Sequence, residues 1–141
     1  MYSRVYVEIT NVCNKSCSFC HGHSRENRRM SIEEFDTLTD KLLPHTKYLY
    51  YHLMGEPLTH PLLPDFIRLA NEKGFKSAVT TNGSLLPRIG KTLIESGIYK
   101  VNISLHSFEG DDANKYQAYL ASIADFAKKF NKNHSFLKET L

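Results

Sequence analysis

The sequence predicts an α/β fold in which about four βα units build a parallel sheet. Short segments rich in β-branched and aromatic residues alternate four times with longer segments whose apolar residues recur at helical spacing. Each short segment leads into a cluster of cysteine, glycine or polar residues. Alternation of this kind calls for parallel strands joined by right-handed crossovers, and the carboxyl ends of such strands meet at one edge.

The first unit pairs a strand with a capped helix. Residues 5–10 alternate apolar and polar side chains, which predicts a half-buried strand. Ser31, with Glu34 three residues on, forms a capping-box signature. The apolar spacing then predicts a helix over residues 32–43, which Pro44 ends.

The second unit begins with a strand over residues 47–53, a short segment rich in tyrosine and leucine. Pro61 and Pro64 lead into a predicted helix over residues 65–73. Gly74 directly follows, as glycine commonly does after the last helical residue.

The third unit has a strand over residues 76–81 that runs into Asn82 and Gly83. An Asn-Gly pair is typical of a hairpin, but residues 84–95 continue with helical apolar spacing. The pair is therefore interpreted as a strand-to-helix turn.

The fourth unit has a strand over residues 100–105, where apolar residues alternate with Asn102 and Ser104. Asp111 or Asp112 is predicted to cap a long helix whose apolar residues follow core spacing. A polar connection is predicted over residues 131–134.

Length and charge place bounds on the function. The 141 residues suit one domain, and the formal charge of +3 with a pI near 8.7 is scattered rather than gathered into a nucleic-acid-binding stripe. No apolar run is long enough for a membrane span, and no secretory signal opens the chain. Clustered thiols indicate a reducing cytoplasm and an anaerobic or oxygen-poor setting.

All three cysteines lie close together, at Cys13, Cys17 and Cys20, and no other cysteine is available to pair with them. Three thiols in so short a loop indicate a metal centre, either an iron-sulfur cluster with one open coordination position or a structural zinc site. In the zinc alternative, His21 or His23 supplies the fourth ligand.

The cysteine spacing Cys-x3-Cys-x2-Cys, with Phe19 just before the last cysteine, resembles the cluster motif of the radical SAM enzymes. A second stretch supports the resemblance. Met54-Gly55-Glu56-Pro57, after the second predicted strand, is similar to the family's Gly-Gly-Glu-Pro element, with methionine in place of the first glycine.

The resemblance implies cofactors and an activity. The three cysteines hold three irons of a [4Fe-4S] cluster, and S-adenosylmethionine (SAM) chelates the fourth. A low-potential donor such as flavodoxin or ferredoxin reduces the cluster, and SAM is cleaved to a 5′-deoxyadenosyl radical that abstracts hydrogen from a substrate. The implied residues that position SAM are Phe19, Gly55, Glu56 and Ser104, with Thr80 and Asn82 as further pocket candidates.

The resemblance also implies a partial (β/α) barrel of the radical SAM type. It spans residues 1–141 but covers only about two-thirds of the family core, because the fifth and sixth βα units are missing. The expectation is a piece of a longer protein; the alternatives are a sheet whose free edge pairs with a partner, and a degraded gene product that no longer works. The alternative function is an incomplete, non-catalytic module that binds an iron-sulfur cluster or zinc. His106 remains open as a proton donor, substrate contact or structural residue.

Overall fold

The computed structural model describes residues 1–13, 26–52, 54–105 and 113–133, and side chains as far as residue 132. Its strands form a parallel four-stranded sheet in the order β1-β2-β3-β4. The strands are β1 Val5–Tyr6, β2 Tyr48–Tyr51, β3 Lys76–Thr81 and β4 Lys100–Ile103. The helices are α1 Ile32–Leu42, α2 Leu63–Glu72, α3 Leu86–Glu95 and α4 Ala113–Asn133.

This alternation of parallel strands and helices confirms the predicted α/β fold. The predicted bounds of β3 agree with the structure, and the Asn82-Gly83 pair joins β3 to α3 as expected. The polar connection predicted from residue 131 is wrong, because α4 continues to Asn133. Phe130 is buried in the core there, which favours continuing the helix.

The strand predicted over residues 5–10 is shorter in the structure. Val7 still donates to the carbonyl of Tyr50 at 2.9 Å, as in a continuing ladder. Beyond it the chain pairs with residues 28–30, which follow the cysteine-bearing segment, residues 13–26 (the cysteine loop of the sequence prediction). There Thr10 forms an antiparallel bridge with Arg29. The end of β1 thus pairs with a different element from its start.

The helix ends follow local chemistry. The capping box is confirmed, because Glu34 N–H donates to Ser31 Oγ at 3.1 Å and Ser31 N–H donates to Glu34 Oε1 at 3.2 Å. Helix α2 begins at Leu63, two residues before its prediction, because Pro64 sits in the first turn, where no amide donor is needed. A 3₁₀ turn at Pro57–Thr59 was not predicted.

The two faces of the sheet differ. Sequential parallel strands with right-handed crossovers place their helices on the same face. On that face Val7, Leu49 and Val79 belong to the buried core. The opposite face carries Tyr6, which is 46% exposed, and Tyr50, whose ring meets the Tyr6 ring edge-on at 5.7 Å between centroids.

Two of the helices approach closely at a small residue. A Cβ atom on Gly90 of α3 would lie 2.8 Å from the ring of Phe126 on α4. Such separations lie inside van der Waals contact, so α3 and α4 pack with no room for a larger residue there. Among the described residues, no helix combines the length and apolar character that a membrane crossing requires.

Candidate functional site

The predicted site residues within the described part follow the strands at one edge of the sheet. Cys13 lies beyond β1, Gly55 and Glu56 beyond β2, Asn82 directly after β3, and Ser104 directly after β4. In parallel α/β folds this edge holds the functional groups. Several predicted residues lie outside the described residues, namely Cys17, Phe19, Cys20, His21, His23 and His106.

Gly55 packs directly against the segment that leads to Cys13. Its φ is +86°, and a Cβ atom built there would lie 2.8 Å from Asn11 Cα and collide with the carbonyl oxygen of Thr10. Next to it, Glu56 N–H donates to the carbonyl of Val12 at 2.7 Å. Only glycine fits both the backbone conformation and the space. The turn after β2 therefore rests on the base of the cysteine loop.

Asn11 joins the two ends of the cysteine loop. Its side-chain amide donates to the carbonyl of Glu26 at 2.8 Å, and its Oδ1 accepts from Arg28 N–H at 2.8 Å. Met30 N–H also donates to Ile9 O at 2.8 Å. A cavity of about 480 Å³ lies between these segments, and Glu8 and Arg28 are among its lining residues. The sequence analysis did not single out Asn11, although an asparagine just before a cysteine motif is a visible signal.

His60 links the turn after β2 to the same returning segment. Its ring is 3% exposed, with Nε2 2.7 Å from Met30 O, and its Nδ1 accepts from Leu62 N–H at 3.0 Å. An Nδ1 that accepts leaves the proton on Nε2, which donates to Met30. Burial lowers the pKa of His60, which favours this neutral form. Sequence reasoning missed His60, since nothing local marks its distant partner.

Glu56 is buried, and its carboxylate accepts hydrogen bonds from the chain itself. Oε1 accepts from Thr81 Oγ1 at 2.5 Å and from Leu58 N–H at 3.1 Å, while Oε2 accepts from Asn82 N–H at 2.8 Å. Burial raises the pKa of Glu56, and these three donors oppose the rise. The carboxylate thus connects the ends of β2 and β3.

Asn82 forms the turn between β3 and α3. Its Oδ1 accepts from Ser84 N–H at 2.9 Å and from Ser84 Oγ at 2.6 Å, which is the local bonding of an Asx turn. Tyr119 of α4 reaches this turn from the core side. The Tyr119 hydroxyl donates to Asn82 O at 2.8 Å and lies 3.2 Å from Ser104 O. The ends of β3 and β4 therefore share one buried tyrosine.

Thr80 and Ser104 lie on the face of the sheet opposite the helices. Thr80 is half-buried and pairs in register with Asn102 of β4. Ser104 N–H donates to Thr81 O at 2.8 Å, which continues the β3–β4 ladder beyond the last assigned strand residue. Across the edge, Met54 N–H donates to Glu8 Oε1 at 3.1 Å. Polar groups from all four strands thus meet near the same edge.

The donor set fits an iron-sulfur cluster with one open position. Three cysteines are present in the whole chain, and a fully protein-ligated cluster commonly takes four. Cys13 is the one within the described residues; it is exposed, and it directly follows Val12, whose carbonyl accepts from Glu56 N–H.

The sequence profile of the Radical SAM superfamily matches residues 7–138. The chain is 33% identical over 106 residues to the tungsten-containing aldehyde ferredoxin oxidoreductase cofactor-modifying protein of Pyrococcus furiosus, covering 72% of this chain and 30% of that protein. It is 35% identical to a probable GTP 3′,8-cyclase of Sulfurisphaera tokodaii, covering 73% and 34%.

A solved structure shares the fold. The crystal structure of BtrN in complex with AdoMet and 2-DOIA superposes with a TM-score of 0.67 at 23% identity, covering 83% of this chain and 55% of that one. The chain spans about a third of the length of the curated relatives that it matches.

Proposed function

Since the chain belongs to the radical SAM superfamily, which uses a [4Fe-4S] cluster and SAM, we propose that it carries the part of a radical SAM enzyme that holds both cofactors. Cys13, Cys17 and Cys20 would hold the cluster. The observation that carries the proposal is the packing of Gly55 on the segment leading to Cys13, where a Cβ atom would lie 2.8 Å from Asn11 Cα. A SAM site beside the cluster requires the Gly55 turn and the segment leading to Cys13 to be adjacent.

SAM would lie along the edge formed by Gly55, Asn82 and Ser104, with Phe19 and Glu56 helping to position it. Gly55 lets the backbone approach closely, and the polar groups at the strand ends suit the charged and hydroxylated parts of SAM. When bound, the cluster would supply the electron that cleaves the C5′–S bond of SAM, giving methionine and a 5′-deoxyadenosyl radical. The chain's own residues bind and orient the reactants and exclude water.

The proposed reaction is hydrogen-atom abstraction by that radical. The proposal names no substrate, because the relatives are named for different activities. A low-potential flavodoxin or ferredoxin is the proposed electron donor. The three closely spaced thiols also favour a reducing cytoplasm low in oxygen, where such a cluster survives. The overall reaction class, oxidoreductase or transferase, depends on the substrate.

Electron paramagnetic resonance tests the proposal. The full chain is reconstituted anaerobically with iron and sulfide, reduced with dithionite, and measured with and without SAM, alongside iron, sulfide and zinc analysis. Cys13→Ser is compared with Lys91→Met, a change at an exposed lysine on α3. We expect a [4Fe-4S] signal that shifts on addition of SAM, and loss of that signal in Cys13→Ser but not in Lys91→Met.

Each other outcome selects an alternative. A cluster signal that ignores SAM would overturn the SAM-binding part and favour a non-catalytic iron-sulfur module. A protein that binds zinc and gives no cluster signal would overturn the proposal and favour a Cys₃His structural site.

A further inference from the structure

We propose that Glu56 and Tyr119 are positioning residues that hold the ends of β2, β3 and β4 in one fixed edge, and that they set the affinity for SAM from inside the protein. The inference rests on the proposed function. It gives Glu56 a different role from the direct contact that family resemblance implies. The supporting geometry is a pair of buried polar side chains that both bond to the turn after β3.

The contacts of Glu56 point inward. Its side chain is 2% exposed, and both carboxylate oxygens accept from the chain, one from Thr81 Oγ1 and Leu58 N–H and the other from Asn82 N–H. Thr81 Oγ1 in turn accepts from Gly83 N–H at 3.1 Å. One carboxylate therefore connects the turns after both β2 and β3, and its three hydrogen-bond donors offset part of the cost of burying it.

Tyr119, on α4, connects the end of β4 to the same turn. It is 5% exposed, and its hydroxyl contacts the carbonyl groups of Asn82 and Ser104 at 2.8 and 3.2 Å. Glu56 accepts a hydrogen bond from the backbone N–H of Asn82, and Tyr119 donates one to the backbone carbonyl of the same residue. The two side chains thus hold Asn82 on both sides of its backbone and couple it to Gly55 and Ser104.

The location of these bonds separates them from hydrogen bonds that only join two strands, because they end on the turns at the sheet edge. The chain offers such a bond for comparison. Tyr51 of β2 lies 2.9 Å from Ser77 Oγ of β3, fully buried and on the helix-covered face. It also links two strands through a tyrosine hydroxyl, but it lies away from the edge. Tyr51→Phe is therefore the matched control for Tyr119→Phe.

The experiment measures SAM binding and folding separately. Glu56→Gln, Tyr119→Phe, the double variant and Tyr51→Phe are prepared as full chains and reconstituted anaerobically. SAM affinity is measured by equilibrium dialysis, stability by urea unfolding, and cluster content by iron and sulfide analysis. Hydrogen exchange of the cofactor-free chain reports on the Leu58 and Asn82 amides. If Glu56→Gln does not fold, Thr81→Val replaces it, because it removes one donor to the carboxylate with little change in volume.

We expect Glu56→Gln and Tyr119→Phe each to weaken SAM binding roughly fivefold to tenfold, with unchanged cluster content. The double variant should lose less than the product of the two factors, because both act through Asn82. Asn82 should exchange faster in Glu56→Gln. Tyr51→Phe should lower stability by a similar amount and leave SAM affinity within about twofold.

The failures are distinguishable. If the parent chain binds SAM and Tyr119→Phe binds it equally well, the positioning role is wrong and the proposed function stands. If Glu56→Gln alone weakens binding, with Asn82 exchange unchanged, Glu56 contacts SAM directly and the inference is overturned. A parent chain with no affinity for SAM overturns the proposed function and this inference with it.

Discussion

The hydroxyl of Tyr119 donates to the backbone carbonyl of Asn82 at 2.8 Å across 37 positions of sequence. Tyr119 lies on α4, at a position whose spacing also fits an ordinary core residue, and its ring is indeed buried. The same side chain therefore serves the core with its ring and the sheet edge with its hydroxyl. Core packing and edge geometry are consequently coupled in this protein.

Gly55→Ala should destabilise the protein and disturb the cysteine loop together. A positive φ at a non-glycine residue costs about 1–2 kcal/mol, and the contact with Asn11 adds about 1–3 kcal/mol of overpacking. Urea unfolding measures the stability, and iron analysis after reconstitution measures the loop. Gly74→Ala is the control, because Gly74 has φ +94° and nothing lies within 4 Å of a Cβ atom there. Equal losses at the two glycines would contradict the close contact.

His60 should make stability depend on pH below neutrality. Burial lowers its pKa in the folded chain below the ordinary 6.5, so the unfolded chain binds more protons between the two values. This contribution is complete above about pH 6.5 and is lost as the pH falls toward the folded pKa. Unfolding free energies at about pH 7.5 and pH 5.5 measure the slope, which His60→Gln should reduce. The exposed His45 serves as control. An unchanged slope in His60→Gln would rule out this linkage.

Lys73→Met should weaken the contact between α1 and α2. The ammonium donates to Asp36 Oδ1 at 2.5 Å, Asp40 Oδ1 at 2.8 Å and Thr39 Oγ1 at 2.9 Å, and the side chain is only 15% exposed. Removing a largely buried charge that has several acceptors should cost about 1–3 kcal/mol in unfolding free energy.

Lys91→Met is the matched control for Lys73→Met. Its partner Glu95 lies 3.9 Å away, and the lysine side chain is 88% exposed. Exposed pairs contribute little, so the change should stay within about 0.5 kcal/mol. If both variants lose the same stability, the Lys73 cluster is no stronger than an ordinary surface pair.

Gly90→Ala should destabilise the protein although alanine is the better helix former. The propensity gain of about 1 kcal/mol is opposed by overpacking of about 1–3 kcal/mol against Phe126. Thermal or urea unfolding should therefore show a net loss, and adding Phe126→Leu should recover part of it. A gain in stability from Gly90→Ala alone would mean that α3 and α4 move apart easily.

Sequence patterns could predict the elements because each depends on neighbours along the chain. The capping box at Ser31 and Glu34, the strand over residues 76–81 and the turn at Asn82 depend on local signals, and the structure confirms them. The strand predicted over residues 5–10 extends beyond the observed β1, because residues 9–11 pair with residues 28–30, and no local pattern reveals that pairing.

The hydrogen bonds that connect the elements of the site could not be predicted in the same way. Motif resemblance placed Glu56 and Asn82 at the edge, but the bond between them spans 26 positions, and that from His60 to Met30 spans 30. The carboxylate and the imidazole each satisfy their bonding groups with whichever partners the folded chain brings near. Their partners depend on packing between elements, which single-residue spacing does not encode.

The sheet face opposite the helices carries intrinsic fluorophores. The chain has eight tyrosines and no tryptophan, so its intrinsic emission comes from tyrosine alone. Tyr6 and Tyr50 lie together on the sheet face opposite the helices, and the guanidinium of Arg4 lies 5.2 Å from the Tyr50 ring centre. A ligand bound against either ring would change the surroundings of that ring, and tyrosine emission would report the change without a dye attached to the chain.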